Sequence, residues 1–134
     1  MGNTQNHLLE GENYIFQGDN WMLLKNNGKN QLTMSGLKDS NCLFHVEYTD
    51  DLLSIKNQYG KYVKIDTETD KVYFTNNTEE EVLFKPLYFE RNIVAFLSSH
   101  NTLLCYDEKS KTVIQVEYVE NHIPKMSLFW FSPE

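Results

Sequence analysis

Three similar segments, each built from short apolar stretches separated by polar turns, predict an all-β fold of the β-trefoil class. The segments recur about every 40 residues along the chain, a period expected of a repeated supersecondary unit. No window of useful length shows the apolar period of an amphipathic helix. Because a trefoil closes six strands into a barrel and caps it with three hairpins, we expect twelve strands in three pseudo-threefold repeats.

The repeat is clearest in a ten-residue window that runs strand, polar turn, strand. The window covers residues 16–25, 55–64 and 96–105 and needs no gap. Apolar residues coincide at its first, eighth and ninth positions: Phe16, Ile55 and Phe96; Leu23, Tyr62 and Leu103; Leu24, Val63 and Leu104. We expect the first two of these sets to occupy interior positions related by the repeat.

A third strand and a Leu-Phe pair follow in each segment. The strands are read at Gln31–Ser35, Lys71–Thr75 and Thr112–Tyr118, and the pairs are Leu43-Phe44, Leu83-Phe84 and Leu128-Phe129. Phe44, Phe84 and Phe129 should therefore also be buried. We predict one domain over residues 1–134, with repeats at approximately 10–49, 50–90 and 91–134. An open sandwich could use the same strands, but it gives no reason for three matching units.

Charge and composition limit the classes of partner. The formal net charge is −7 and the 12 basic residues are scattered, whereas binding to a phosphate backbone needs a concentrated basic face. Nucleic acid is therefore not expected as a partner. No apolar stretch approaches the roughly 20 residues of a membrane span, and the start of the chain is too polar for a signal peptide. These features favour a cytoplasmic or nucleocytoplasmic protein.

Cysteine and histidine usage argues against redox or metal chemistry. Cys42 and Cys105 each lie beside apolar residues, which favours buried, reduced thiols over a disulfide. The four histidines do not have zinc-ligand spacing, and His45 lies between apolar residues of a predicted strand. No nucleophile elbow, phosphate-binding loop or dinucleotide fingerprint is present. We expect no metal, no cofactor and no enzyme activity.

Aromatic residues beside short amides and carboxylates are the remaining chemical signal. A sugar presents an apolar C–H face and a rim of hydroxyl groups, which suit an aromatic ring and nearby Asn or Asp. The candidate carbohydrate-binding residues are Asp19, Asn20, Trp21, Tyr73, Asn76 and Asn77. Similar clusters occur at Asn57-Gln58-Tyr59 and at His100-Asn101. Turn chemistry alone also selects Asn and Asp, so a purely conformational role stays open for these residues.

The run from Val82 to Tyr88, Val-Leu-Phe-Lys-Pro-Leu-Tyr, resembles a segment that closes the second repeat of amaranthin-type agglutinin domains. Three upstream elements are similar to that family in order and spacing: Phe44–Glu47, Leu53–Lys56 and Lys61–Val63. The resemblance implies a β-trefoil lectin, made without a signal peptide, that binds galactose-type or N-acetylgalactosamine-containing glycans. It also implies pairing of domains, hence a possible homodimer. Asp70 and Lys71 stand where that family often has an aromatic residue.

A second resemblance points to another class of partner. The run from Gly60 to Asp66 is similar to a hairpin of fascin-like and hisactophilin-like trefoils, which implies actin binding. Those proteins present positive charge to an acidic filament, whereas this chain is net negative. A protease inhibitor with the trefoil fold is a third functional hypothesis, since one fold serves several functions.

Overall fold

The computed structural model describes residues 7–77 and 82–134. The start of the chain used in the signal-peptide argument therefore lies partly outside the described residues. Within the described part there are twelve strands: β1 (Asn13–Gln17), β2 (Leu23–Asn26), β3 (Leu32–Ser35), β4 (Phe44–Thr49), β5 (Leu52–Lys56), β6 (Tyr62–Ile65), β7 (Val72–Thr75), β8 (Phe84–Phe89), β9 (Ile93–Ser98), β10 (Thr102–Asp107), β11 (Thr112–Glu117) and β12 (Phe129–Pro133). The three strands read before the Leu-Phe pairs are confirmed to within one residue at each end.

Six of these strands form a closed ring. β1 pairs with β4 and β12, β5 pairs with β4 and β8, and β9 pairs with β8 and β12, all antiparallel. The other six form three hairpins, β2–β3, β6–β7 and β10–β11. This is the predicted arrangement of a barrel with three hairpins, and closing the ring leaves its strands without free edges.

The barrel interior is filled by phenylalanine rings from all three repeats. Phe96 lies with its ring centroid 5.4 Å from that of Phe16, 6.4 Å from Phe84 and 6.1 Å from Phe129. Seven of the nine residues expected inside are buried: Phe16, Phe44, Ile55, Phe84, Phe96, Leu103 and Phe129.

The expectation for Leu23 and Tyr62 is wrong, since both are only half-buried. They begin β2 and β6, where they pair with Gln17 and Lys56, two polar residues that are also only half-buried. Successive side chains of a strand point to opposite faces. The next residues, Leu24 and Val63, therefore point inward and are buried.

The turns repeat as regularly as the strands. The first turn of the ten-residue window carries a positive φ at Trp21 (68°), Gly60 (81°) and Asn101 (63°). A second set of positive φ values, at Asn30, Asp70 and Lys111, lies at the tips of the three hairpins. The same backbone conformation therefore recurs at equivalent places, although the residues that adopt it differ.

The hairpin tips hold the three repeats together in a cycle. Asn30 donates from Nδ2 to the carbonyl of Phe74 (2.9 Å), which lies on the hairpin of the second repeat. The carbonyl of Asp70 accepts from the amide of Gln115 in the third repeat (2.8 Å). Thr33 in the first repeat donates to the carbonyl of Lys111 (2.6 Å) and completes the cycle. Lys111 takes part through its backbone carbonyl, whereas Asp70 also accepts through its side chain, since Gln115 Nε2 donates to Asp70 Oδ1 (2.9 Å).

Both cysteines are buried and are not joined to each other, as the sequence predicts. Burial raises the pKa of the Cys42 and Cys105 thiols. A raised pKa lowers the fraction of reactive thiolate at neutral pH.

Across the described residues, no helix is long and apolar enough to cross a membrane.

Candidate functional site

Two open grooves lie where turns from neighbouring repeats meet. The first, which we call the Tyr59 groove, has a volume of about 310 Å³ and is lined by Asn26, Gly28, Lys29, Asn30, Asn57, Tyr59 and Lys61. The second, the His100 groove, has a volume of about 330 Å³ and is lined by Lys64, Ile65, Asp66, Thr67, Glu68, Tyr73 and His100. Tyr59 and His100 occupy the same position of the ten-residue window. The two grooves are therefore related by the pseudo-threefold repeat.

One wall of the Tyr59 groove is a turn built around Asn57. The side chain of Asn57 is 4% exposed, and its Oδ1 accepts from the amides of Tyr59 (2.9 Å) and Lys61 (3.0 Å). The backbone amide of Asn57 donates to the carbonyl of Lys61 (2.8 Å). This turn holds the Tyr59 side chain outward, with 66% of it exposed.

The opposite wall is the β2–β3 turn, which is also held by amide side chains. Asn26 accepts from the amide of Gly28 (3.1 Å), and Asn27 accepts from the amides of Lys29 (2.7 Å) and Gln31 (3.1 Å). Gly28 adopts a φ of 80°, a conformation that favours glycine. The groove thus combines an aromatic ring, amide groups and two lysines on a fixed backbone.

The His100 groove has a different charge pattern. Asp66 is held by a hydrogen bond from the amide of Glu68 (3.0 Å) and by one from the Thr69 hydroxyl (2.9 Å), and these lower the pKa of its carboxyl. On the other wall, Ser98 Oγ accepts from the amides of His100 (3.1 Å) and Thr102 (3.3 Å), the role that Asn57 plays in the second repeat. Carboxylates therefore line this groove beside an aromatic residue and a histidine.

The structure places the six candidate residues on two different parts of the surface. Asp19, Asn20 and Trp21 lie on the β1–β2 turn, and Tyr73 lines the His100 groove. Asn76 and Asn77 are exposed directly after β7 and line neither groove. Their role in binding stays a prediction.

Asn20 has a clear structural role in its turn. Its Oδ1 accepts from the amide of Met22 (3.0 Å). In the other two repeats the equivalent amide donates to Asn57 or Ser98, which occupy the third position of the ten-residue window. Gly18 stands at that position in the first repeat, and a Cβ there would lie 2.7 Å from the Cε atom of Met34. Asn20 therefore supplies the acceptor that Gly18 lacks.

Trp21 is unusual because a bulky residue adopts a positive φ while its side chain is 77% exposed. Such a residue is an outlier that the fold does not need for packing. Its amide donates to the carbonyl of Gly18 (3.0 Å), and its carbonyl accepts from Gln17 Nε2 (3.0 Å). Gly60 and Asn101, at the equivalent positions, are residue types that tolerate this conformation.

We expect Trp21→Asn to raise the free energy of unfolding by about 1 kcal/mol, because Asn adopts the left-handed conformation more easily and little packing is lost. Urea unfolding at equilibrium would measure this. Trp130→Asn is the matched control, since Trp130 lies within β12, where Asn is disfavoured, and its replacement should be destabilising. A clear loss of stability in Trp21→Asn would mean that the tryptophan side chain stabilises the turn.

Asn57 and Tyr59 were named from the sequence as a cluster but not selected as binding residues. Asn26, Lys29, Asn30 and Lys61 were not predicted to take part in binding. The groove could have been suspected from the alignment of the repeats, because Tyr59 and His100 share one position of the ten-residue window and lie in Asn-containing turns. Among residues 7–77 and 82–134, no group of three or more His, Cys, Asp or Glu side chains could hold a metal ion.

No family model matches the sequence, and no curated protein matches it. Solved structures do. The BEL β-trefoil in its apo crystal form 3 has a TM-score of 0.78 and 14% identity, over 96% of this chain and 97% of that one. The chain is a β-trefoil. The protein SeviL bound to the asialo-GM1 saccharide has a TM-score of 0.75 and 12% identity, over 91% of this trefoil and 97% of SeviL.

A third similar structure belongs to a larger protein. The GlcNAcα1-4Gal-releasing endo-β-galactosidase from Clostridium perfringens has a TM-score of 0.80 and 14% identity, over 92% of this trefoil and 32% of the enzyme. This trefoil therefore spans about a third of the length of that enzyme. At these identities the three likenesses establish the fold, and the amaranthin-type resemblance stays a prediction.

Proposed function

We propose that this trefoil is a carbohydrate-binding domain and that the Tyr59 groove is its binding site. The observation that carries the proposal is the exposed Tyr59 ring beside the exposed Asn30, in an open groove of about 310 Å³ whose turns are held by Asn26 and Asn57. An aromatic ring can stack on the apolar face of a pyranose, and the exposed amide of Asn30 can bond its hydroxyls. The likeness to SeviL, solved with the asialo-GM1 saccharide, supports this class of ligand.

Galactose-type and N-acetylgalactosamine-type glycans are the proposed ligands. Galactose has an axial hydroxyl at C4, so one face of the ring presents a continuous patch of C–H bonds that suits a single stacked aromatic residue. The resemblance of Phe44–Glu47 and Val82–Tyr88 to amaranthin-type domains supports the same choice. A shallow site of this kind should give a dissociation constant on the order of 0.1 to 1 mM.

The proposed activity is binding and not glycoside hydrolysis. Most glycosidases place two carboxyl groups on either side of the scissile bond. The described residues that line the Tyr59 groove include no Asp or Glu. The sequence identity to the endo-β-galactosidase is 14%, which gives no reason to transfer its reaction.

Tyr59→Ala tests the proposal. We expect it to weaken binding of galactosides at least tenfold, since the stacking surface is removed, with little change in stability because the ring is exposed. Calorimetric titration with N-acetylgalactosamine and lactose, guided by a glycan array, would measure this. Tyr59→Phe is the matched control, because it keeps the ring and should retain most of the affinity.

Actin co-sedimentation, run beside these titrations, distinguishes sugar binding from the alternative interpretation, actin binding. Absence of binding to any sugar would overturn the proposal, as would equal affinities of wild type and Tyr59→Ala. Sedimentation with actin filaments would then favour the fascin-like interpretation.

A further inference from the structure

The Tyr59 groove is lined by positive charge, although the chain as a whole is negatively charged. The chain has a net charge of −7, yet the described residues lining this groove include Lys29 and Lys61 and no carboxylate. The related His100 groove has Lys64 together with Asp66 and Glu68. A local field of one sign in a cleft attracts ligands of the opposite sign. The repeat therefore provides two grooves of similar shape and opposite electrostatic preference.

Three other lysines of the described chain form salt bridges, whereas the two groove lysines do not. Lys25 pairs with Asp39 (2.9 Å), Lys38 with Glu134 (2.9 Å) and Lys56 with Glu47 (3.0 Å). No salt bridge within the described part of the chain involves the ammonium group of Lys29 or of Lys61.

The backbone at both lysines is held in place by the turns that form the groove walls. The amide of Lys29 donates to Asn27 Oδ1 (2.7 Å), and that of Lys61 donates to Asn57 Oδ1 (3.0 Å). Each lysine is thus anchored on an opposite wall, and no carboxylate among residues 7–77 and 82–134 forms a salt bridge with it. Two such charges on opposite walls of a groove that also holds an aromatic ring suit a sugar that carries an anionic group.

We propose that the Tyr59 groove selects galactose-type glycans that carry an anionic substituent, a sulfate ester or a sialic acid carboxylate, over their neutral counterparts. This inference rests on the proposed function of the same groove. Lys29 and Lys61 supply the selectivity, and Tyr59 supplies binding common to neutral and acidic sugars. Because ion pairs at exposed sites are weak individually, the two lysines together account for about a three- to tenfold preference.

The test compares matched ligands by calorimetric titration of the full chain. Lactose is compared with 3′-sialyllactose in one arm and with 3′-sulfolactose in the other, each at about 20 mM and about 300 mM salt. The acidic sugar should bind three- to tenfold more tightly at low salt, and the preference should shrink at high salt because exposed charges are screened. The two arms show whether the carboxylate, the sulfate or both are accepted.

A double variant, Lys29→Gln with Lys61→Gln, should weaken binding of the acidic sugars more than binding of lactose, so that the preference disappears. Lys109→Gln with Lys125→Gln is the matched control: it changes the net charge equally at exposed lysines outside the groove and should keep the preference. Equal affinities for neutral and acidic sugars in the wild type would overturn this inference and leave the proposed function standing. A preference lost equally in both double variants would also overturn it, because net charge would then be the cause. Binding of none of the sugars would overturn the proposed function itself.

Discussion

Phe96→Ala is expected to lower the free energy of unfolding by roughly 3 to 5 kcal/mol. The Phe96 side chain is fully buried, and its ring contacts aromatic rings contributed by each of the three repeats. Removing it leaves a cavity at the centre of the barrel, where a closed ring of strands leaves little room for collapse. A loss of this size is a large part of the total stability of a small domain. Urea unfolding monitored by circular dichroism would measure it.

Phe89→Ala is the matched control for this cavity. Of the eight phenylalanines, Phe89 is the exposed one, at 40%, and it ends β8 on the outside of the barrel. The same chemical change there should cost about 1 kcal/mol or less. Comparable losses in the two variants would show that the barrel interior tolerates the cavity and that the assignment of Phe96 to the centre of the core is incorrect. If Phe96→Ala does not fold, Phe96→Leu provides a smaller change with the same expected direction.

The trefoil could be predicted from sequence because its apolar positions repeat with a fixed spacing. Residues such as Phe16, Ile55 and Phe96 coincide without gaps, and each repeat ends its polar stretch with a Leu-Phe pair. Where two apolar residues are adjacent, the sequence does not predict which of the two is buried. Leu23 and Leu24 are both apolar, so alternation does not say which one points inward.

The Tyr59 groove could not be assembled from sequence because its walls come from different repeats. Asn26 and Lys29 lie in the first repeat and Asn57 and Tyr59 in the second, and only the barrel geometry brings the two turns together. Each turn by itself has the composition of an ordinary turn. The sequence therefore identified aromatic residues beside amides without showing which of them share a cleft.

The positive φ of Trp21 could be predicted from the alignment of the three repeats, although not from composition. Trp21 coincides with Gly60 and Asn101, two residue types that suit a left-handed backbone conformation. The alignment of the three repeats therefore indicates an unfavourable conformation for a tryptophan at this position. The cluster of Trp21 with Asp19 and Asn20 selects the same residue on other grounds, as an aromatic ring beside polar groups. Trp21 is therefore a candidate for binding both by its backbone conformation and by its polar neighbours.

Asn57→Ala is expected to lower the free energy of unfolding by about 1 to 3 kcal/mol and to weaken sugar binding as well. The substitution removes the Oδ1 acceptor that holds the amides of Tyr59 and Lys61, at a site where the side chain is 4% exposed. Without that acceptor the turn relaxes, so Tyr59 and Lys61 lose their fixed positions on the groove wall. Urea unfolding gives the stability, and titration with lactose under conditions where both proteins are folded gives the affinity.

Asn57→Ser is the matched control, and the chain itself supplies its rationale. Ser98 occupies the equivalent position in the third repeat, where its hydroxyl accepts from the amides of His100 and Thr102. A serine at position 57 therefore keeps an acceptor at the centre of the turn and should retain more stability and more affinity than alanine. Equal losses for Ser and Ala would show that the side-chain acceptor does not hold this turn. A loss of stability without a loss of affinity would place the sugar away from the Tyr59 groove, because a relaxed turn cannot keep Tyr59 in its stacking position.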